Sequence, residues 1–173
     1  ILQGNILLEY ASFNDLLQKP EVVSVSTSLP DFQISVKDAF IFAPELKQNE
    51  YISLLSQNNI KGTLKIQGSM SDLDINEINV RWRETFIKGK GTVSQPLDTE
   101  KMTFDFPYLV FITDKKDASL FVNEEETGIS IPEKIMLDAN FSGKLNDLSA
   151  NAKLVTTDGT ITFKGGFANT ENI

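Results

Sequence analysis

Strict two-residue alternation constrains this chain more than any other feature. In KMTFDFPYLVFI, Met102, Phe104, Phe106, Tyr108, Val110 and Ile112 are expected on one side of an extended strand. In KIMLDANFSGKL, Ile135, Leu137, Ala139, Phe141, Gly143 and Leu145 oppose Met136, Asp138, Asn140, Ser142 and Lys144. LSANAKL aligns Leu148, Ala150, Ala152 and Leu154, and TITFKGGF aligns Ile161, Phe163, Gly165 and Phe167. A period of two over such lengths marks a strand with one buried and one wetted face, and about eleven segments of this kind are expected. Short turns such as Asp158-Gly159 join them, so the fold class is all-β and mostly antiparallel.

One or two short helices interrupt the strands. FNDLLQKP sets Phe13, Leu16 and Leu17 at helical spacing ahead of Pro20, and PELKQNEYISLLSQN groups Tyr51, Leu54 and Leu55 behind Pro44. Both are expected as covers over one end of a sheet. NEEETG, from Asn123 to Gly128, is expected as a solvated charged loop, because calcium loops alternate their ligands and bend at a glycine.

GSMSDL at Gly68 and GKLNDL at Gly143 are nearly the same phrase, 75 residues apart. At that offset Gly68, Asp72, Leu73, Asn76, Val80, Thr85 and Gly91 meet Gly143, Asp147, Leu148, Asn151, Val155, Thr160 and Gly166. Slipping by one, Ile87-Lys88-Gly89 meets Phe163-Lys164-Gly165, as if the second turn were one residue longer, with a third copy at Leu2-Gln3-Gly4. Lys37-Asp38-Ala39 likewise answers Lys116-Asp117-Ala118. The chain is expected to be one stretch of a repeat array, with units near 1–60 (partial), 61–134 and 135–173 (partial). Gly68 and Gly143 are expected to permit a bulge or bend, Asp72 and Asp147 to bond turn backbone, and Leu73 and Leu148 to restart the buried face.

So many one-faced strands need a cover that two short helices do not supply. Either the sheet closes into a sandwich or barrel, or it curls into a trough with an apolar inner wall. An array favours the trough, because a closed barrel does not extend when units are added. Phe104, Phe106, Tyr108, Val110, Phe141, Leu145, Phe163 and Phe167 are the expected lining.

GSMSDLDINEINVRWRETFIKGKG and IPEKIMLDANFSGKLNDLSANAKLVTTDGTITFKGGF resemble the repeats of the TamB (translocation and assembly module) and AsmA-like family, and VKDAFIFAPEL resembles the passages between those repeats. The similarity covers nearly the whole chain, and the inserted PEK and APEL elements are most similar to Bacteroidetes members. The resemblance implies a curved sheet folded like a taco shell around an apolar groove. It also implies a long periplasmic protein anchored in the inner membrane of a Gram-negative envelope. The family is associated with phospholipid movement between the membranes, and with assembly of outer-membrane proteins beside an Omp85-type, TamA-like barrel. The family's N-terminal membrane helix and barrel-contacting domain are not among these residues. ILQGNILLEY begins inside an expected strand without an initiator Met, which also fits a fragment.

Charge and composition narrow the alternatives. A formal net charge of -8 opposes nucleic-acid binding and simple docking on anionic lipid. With no Cys and no His, disulfides, thiol nucleophiles and imidazole bases are absent. No apolar run of spanning length occurs. The remaining reactive stock, Ser24, Ser26, Ser28, Lys37 and scattered carboxylates, shows no catalytic spacing, and SVSTS reads as the polar face of a strand beginning at Val22. No enzyme activity, cofactor or metal is expected. The expected cargo is phospholipid acyl chains or, alternatively, unfolded outer-membrane protein strands; a structural or adhesive β-sandwich is the further alternative. Trp82 continues the apolar side begun by Ile78 and Val80, with Arg81 and Arg83 on the wet side.

Overall fold

Nine strands, each hydrogen-bonded to its neighbours in chain order, form a single antiparallel sheet in a computed structural model that describes residues 2–144 and 146–168. They are β1 (Leu2–Glu9), β2 (Ser24–Ile34), β3 (Ile60–Ser69), β4 (Asp72–Trp82), β5 (Thr85–Ser94), β6 (Thr103–Asp114), β7 (Lys134–Lys144), β8 (Asp147–Thr156) and β9 (Thr160–Ala168). The first and last strands do not meet, so the sheet is open and curved rather than closed into a barrel. Nine strands form where about eleven alternating segments were expected.

The helices are short: α1 (Phe13–Gln18), α2 (Val36–Phe42), α3 (Glu50–Leu55), α4 (Lys115–Ala118) and α5 (Glu124–Thr127). Two 3₁₀ turns, Pro20–Val22 and Pro44–Gln48, begin on prolines, whose missing N–H costs nothing at a helix start. Side-chain oxygens of Ser12, Asn49, Asp114 and Asn123 accept first-turn N–H groups of α1, α3, α4 and α5. The segment expected as a charged loop is α5, a single turn stopped by Gly128 at φ 67. The two helical segments expected over one end lie at opposite ends. The α1 connection joins Glu9 to Ser24 at one end, whereas the insert of α2 and α3, between β2 and β3, and that of α4 and α5, between β6 and β7, share the other.

Registers reveal a feature that alternation alone does not show. Partner numbering slips by one residue on both sides of β2 near Pro30, of β4 near Asn76, and of β6 near Pro107. These are β-bulges, which place an extra residue opposite one on the neighbour and bend the bulged strand. Proline lacks the ladder N–H, so inside a paired strand a bulge is where it is tolerated. All three bulges lie at mid-strand and form a band across the sheet from β1 to β7. A band of bends running across the strands curves the sheet about an axis that crosses them.

Candidate functional site

Directly opposed residues of antiparallel strands share a face, so the registers trace one apolar face across the whole sheet. From β2 to β9 it carries Leu29 and Phe32, Leu64 and Ile66, Ile78 and Val80, Ile87 and Val93, Phe106 and Leu109, Leu137 and Phe141, Ala152 and Leu154, then Ile161 and Phe163. No second sheet lies over this face among the described residues. Leu29, Phe32, Phe106 and Ala139 are nevertheless buried, and Leu64, Ile66, Ile78, Val80 and Ile87 are half-buried. Neighbouring side chains of the same face shield one another, as they do along the inside of a curved sheet. Much of the opposite face is polar: Ser24, Ser26 and Ser28 point outward from β2, Asp138 opposes Lys153, and the Asn151 amide donates to Asn140 Oδ1 at 2.9 Å, although Phe86, Ile112, Met136 and Val155 form an apolar row across β5 to β8 on that side.

The expected lining residues divide. Phe106 and Phe141 stack with ring centroids 5.0 Å apart and planes 15° from parallel, an offset geometry that aromatic quadrupoles favour. Phe104 and Phe163 are on the same face. Tyr108 and Val110 are not: they pair with Lys90 and Lys88 on the outer face, and Tyr108 is 37% exposed. The bulge at Pro107 corrects the expectation, since one extra residue sends every later side chain of β6 to the other side. Leu109 and Phe111 take the inner positions instead, opposite Ala139 and Leu137. The signal that identifies them is Pro107 itself, since a proline inside an otherwise regular strand marks a bulge. Leu145 lies outside the described residues, as does the side chain of Phe167.

The repeat residues show a matching entry and a divergent continuation. Gly68 (φ 130) pairs with Leu73, and Gly143 (φ 128) pairs with Leu148. A Cβ on either glycine would run into the carbonyl oxygen of Asp72 or Asp147 across the ladder. Neither glycine sits in a bulge; both allow a close backbone approach next to the hairpin turn. Ser69 supplies the turn hydroxyl that receives the Asp72 N–H at 3.2 Å. Beyond the β4 bulge the correspondence shortens by one residue. Val80 is on the inner face and Val155 on the outer, and the inner partner of Gly91 is Gly165 rather than Gly166. The extra residue thus belongs to the first unit, as the bulge in β4; the two turns are equally long, and Ile87 answers Ile161 rather than Phe163, so the expected match of Ile87-Lys88-Gly89 to Phe163-Lys164-Gly165 does not hold.

One lip of the inner face is covered. Trp82, 5% exposed, donates its indole N–H to the Leu55 carbonyl at 2.9 Å and meets the Phe121 ring edge-on at 5.8 Å. Tyr51 stacks on the same Phe121 at 6.2 Å, so both inserts converge on the end of β4. Asp117, 1% exposed, holds α4 against the β4–β5 turn. Its Oδ1 lies 2.8 Å from Arg83 Nε, and its Oδ2 accepts from the Glu84 N–H and the Thr85 hydroxyl, both at 3.0 Å. Arg83 is thus not a freely solvated side chain, and its guanidinium also lies 5.4 Å from the Trp82 ring. Glu124 accepts from the Ile131 N–H at 2.6 Å and pairs with Lys115 at 3.1 Å. The Ile131 N–H first, and Lys115 second, hold its carboxyl below the ordinary range.

An uncovered apolar face can shield hydrocarbon from water; the described residues include no cluster of His, Cys, Asp or Glu able to hold a metal ion. No helix in them is long and apolar enough to cross a membrane. Comparison with protein-family models, characterised proteins and solved structures found no match.

Proposed function

We propose that this chain is a periplasmic segment of a TamB/AsmA-like protein whose apolar face carries phospholipid acyl chains between the inner and outer membranes. One observation carries the reading: the apolar face continues through nine strands with no second layer upon it among the described residues. Two long acyl chains in water cost on the order of 20 kcal/mol, from about 0.8 kcal/mol per CH₂. Lying along Leu64, Ile78, Ile87, Phe106 and Leu137 would offset most of that. Movement further requires that no position bind much better than the next, and a lining of similar side chains on successive strands meets that condition. The role is transport, not catalysis, with an inner-membrane anchor and an Omp85-type barrel as the parent protein's partners.

A second reading has its own observation. The outermost strands keep apolar side chains in water, Ile6 and Leu8 on β1 and Ile161 and Phe163 on β9. Such edges suit unfolded outer-membrane protein strands. Native mass spectrometry after incubation with phospholipid vesicles separates the two. Retained phospholipid, lost in a folded Phe106→Glu or Phe141→Glu variant, supports carriage. Retention unchanged by either charge, or no retention at all, removes it. A crosslinked client strand without bound lipid supports the second reading.

A further inference from the structure

Past its bulge, β6 is apolar on both sides. Tyr108-Leu109-Val110-Phe111-Ile112 is an unbroken apolar run, with Leu109 and Phe111 on the inner face and Tyr108, Val110 and Ile112 on the outer. Such a run is the signature of a strand covered on both faces. The neighbouring strands extend it. Phe86 on β5, Met136 on β7 and Val155 on β8 stand level with Ile112, forming a row about 15 Å long at the usual strand spacing. The outer positions of β2 and β3 are different in kind, with Ser24, Ser26 and Ser28 on one and Lys61, Thr63 and Lys65 on the other. No second sheet covers the row among the described residues, and Ile112 is 38% and Met136 37% exposed.

Shape and charge both bear on what could cover it. The bulges bend the strands, so the outer face is convex along them and straight across them. The row runs in the straight direction, where two such faces can meet along a line. Above and below the row the charges are ordered. Lys88 and Asp138 lie two residues to one side of Phe86 and Met136, and Glu84 and Lys134 lie two residues to the other. Lys88 has no ion-pair partner among the described residues.

We infer that the outer face of β5 to β8 is an interface between two copies of this chain, related by a two-fold axis lying along the row of Phe86, Ile112, Met136 and Val155. A two-fold contact must be self-complementary, and this axis makes it so. Each strand lies on its own copy, and residues on one side of the row meet those on the other. Lys88 meets Glu84 of the second copy, and Asp138 meets Lys134 of the second copy, each contact occurring twice. Val110 meets Asp114, whose carboxylate is already held by the Asp117 N–H at 2.9 Å. Arg81, at the β4 end of the row, meets its own copy but carries Glu84 with it, bound through two contacts at 3.0 and 2.9 Å. The other face-to-face two-fold, along the strands between β6 and β7, would set Lys88 on Lys153 and Val110 on Asp138. Charge therefore selects the first. A patch four strands wide is at the low end of interface sizes, so the dimer is reversible. The contact leaves the inner face open and is independent of what that face carries.

Sedimentation of the whole chain from about 1 μM to about 1 mM, the range in which so small an interface dissociates, should show a monomer–dimer equilibrium. Ile112→Lys puts a charge at the centre of the contact and should weaken association roughly tenfold or more, with an unchanged circular dichroism spectrum. Asp138→Lys and Lys134→Glu should each weaken it when made alone. Made together they should restore it, since the exchanged charges meet again across the axis. The chain has no Cys of its own. Met136→Cys should therefore crosslink to its own copy through a short bismaleimide, whereas Ser149→Cys, on the outer face away from the row, should not. A chain monomeric throughout, a dimer indifferent to Ile112→Lys, no restoration in the double variant, or equal crosslinking at the two cysteine positions would each overturn the inference.

Discussion

The β3–β4–β5 and β7–β8–β9 meanders open in the same way and end differently. Both enter through a glycine at φ near 130 whose missing Cβ admits the next strand's Asp carbonyl, and both restart the inner face at a leucine. Then β4 bulges and ends on Trp82 beneath two inserts, whereas β8 runs straight and ends at Thr156 in a simple turn. Beyond them β5 has a bulged neighbour and β9 has none among the described residues. The Gly-x-x-x-Asp-Leu entry therefore sets hairpin register and face, while bending and cover are added by separate devices, the bulge and the inserts.

The sharpest way to break this comparison is to remove the cover from one meander only. Trp82→Ala deletes the indole bond to Leu55 and the contact with Phe121, and should cost about 3–5 kcal/mol in urea unfolding. Its register counterpart is Thr156, whose hydroxyl accepts the Asp158 and Gly159 N–H groups. Thr156→Ala should cost about 1 kcal/mol. Equal losses would mean that the inserts do not contribute to holding β4. Asp117→Ala comes next, at about 2–3 kcal/mol, because it strands the Glu84 N–H and removes the carboxylate facing Arg83, while the Thr85 hydroxyl keeps its bond to Thr113. Arg83 remains partly solvated, which keeps the cost below that of a fully buried pair.

How far these differences can be read from sequence depends on their range. Alternation reports which residues are extended and, between bulges, which face they take; Ile135 to Phe141 and Leu148 to Leu154 are placed by it. It fails past a bulge, and Tyr108 and Val110 are the cost of missing one. Pro30 and Pro107 are local markers of two bulges, but β4 bulges at Asn76-Glu77 with no proline. That bulge is set by fitting β4 between β3 and β5, a non-local condition. The Asp117 cluster was also hidden: Lys37-Asp38-Ala39 and Lys116-Asp117-Ala118 read alike, yet Asp38 is exposed and Asp117 buried. Only the second helix folds back upon a β-turn with a basic residue and a threonine to meet its carboxylate.

The shared entry is tested by giving both glycines a side chain. Gly68→Ala and Gly143→Ala should each cost about 1–3 kcal/mol, since alanine must adopt a strained φ and its Cβ meets backbone that does not move aside. The two losses should agree within about 0.5 kcal/mol if the entries are equivalent. Gly166→Ala is the control. Its added Cβ has nothing nearer than the Leu148 carbonyl oxygen at 3.5 Å, and the change should be near neutral. Unequal losses at Gly68 and Gly143 would show that the bulge in β4 propagates back to the turn.

The smallest effect separates the two inserts by chemistry rather than by packing. Glu124 fixes the β6–β7 insert with a titrating group, its carboxylate receiving the Ile131 N–H and Lys115. Asn49 does the comparable work in the β2–β3 insert with an amide that does not titrate, accepting the Ile52 N–H at 3.1 Å. Because the Glu124 carboxyl is held below its ordinary range, its contribution is present above that range and is lost as pH falls through its folded titration. Acid should therefore shift the Ile131 amide resonance while leaving that of Ile52 in place, followed by NMR at stepwise lower pH. Glu124→Gln should make the Ile131 amide insensitive to pH. If both amides moved together in the unaltered chain, the inserts would be one cooperative cover responding to acid as a whole, and the division between bulge and cover would have to be redrawn around that unit.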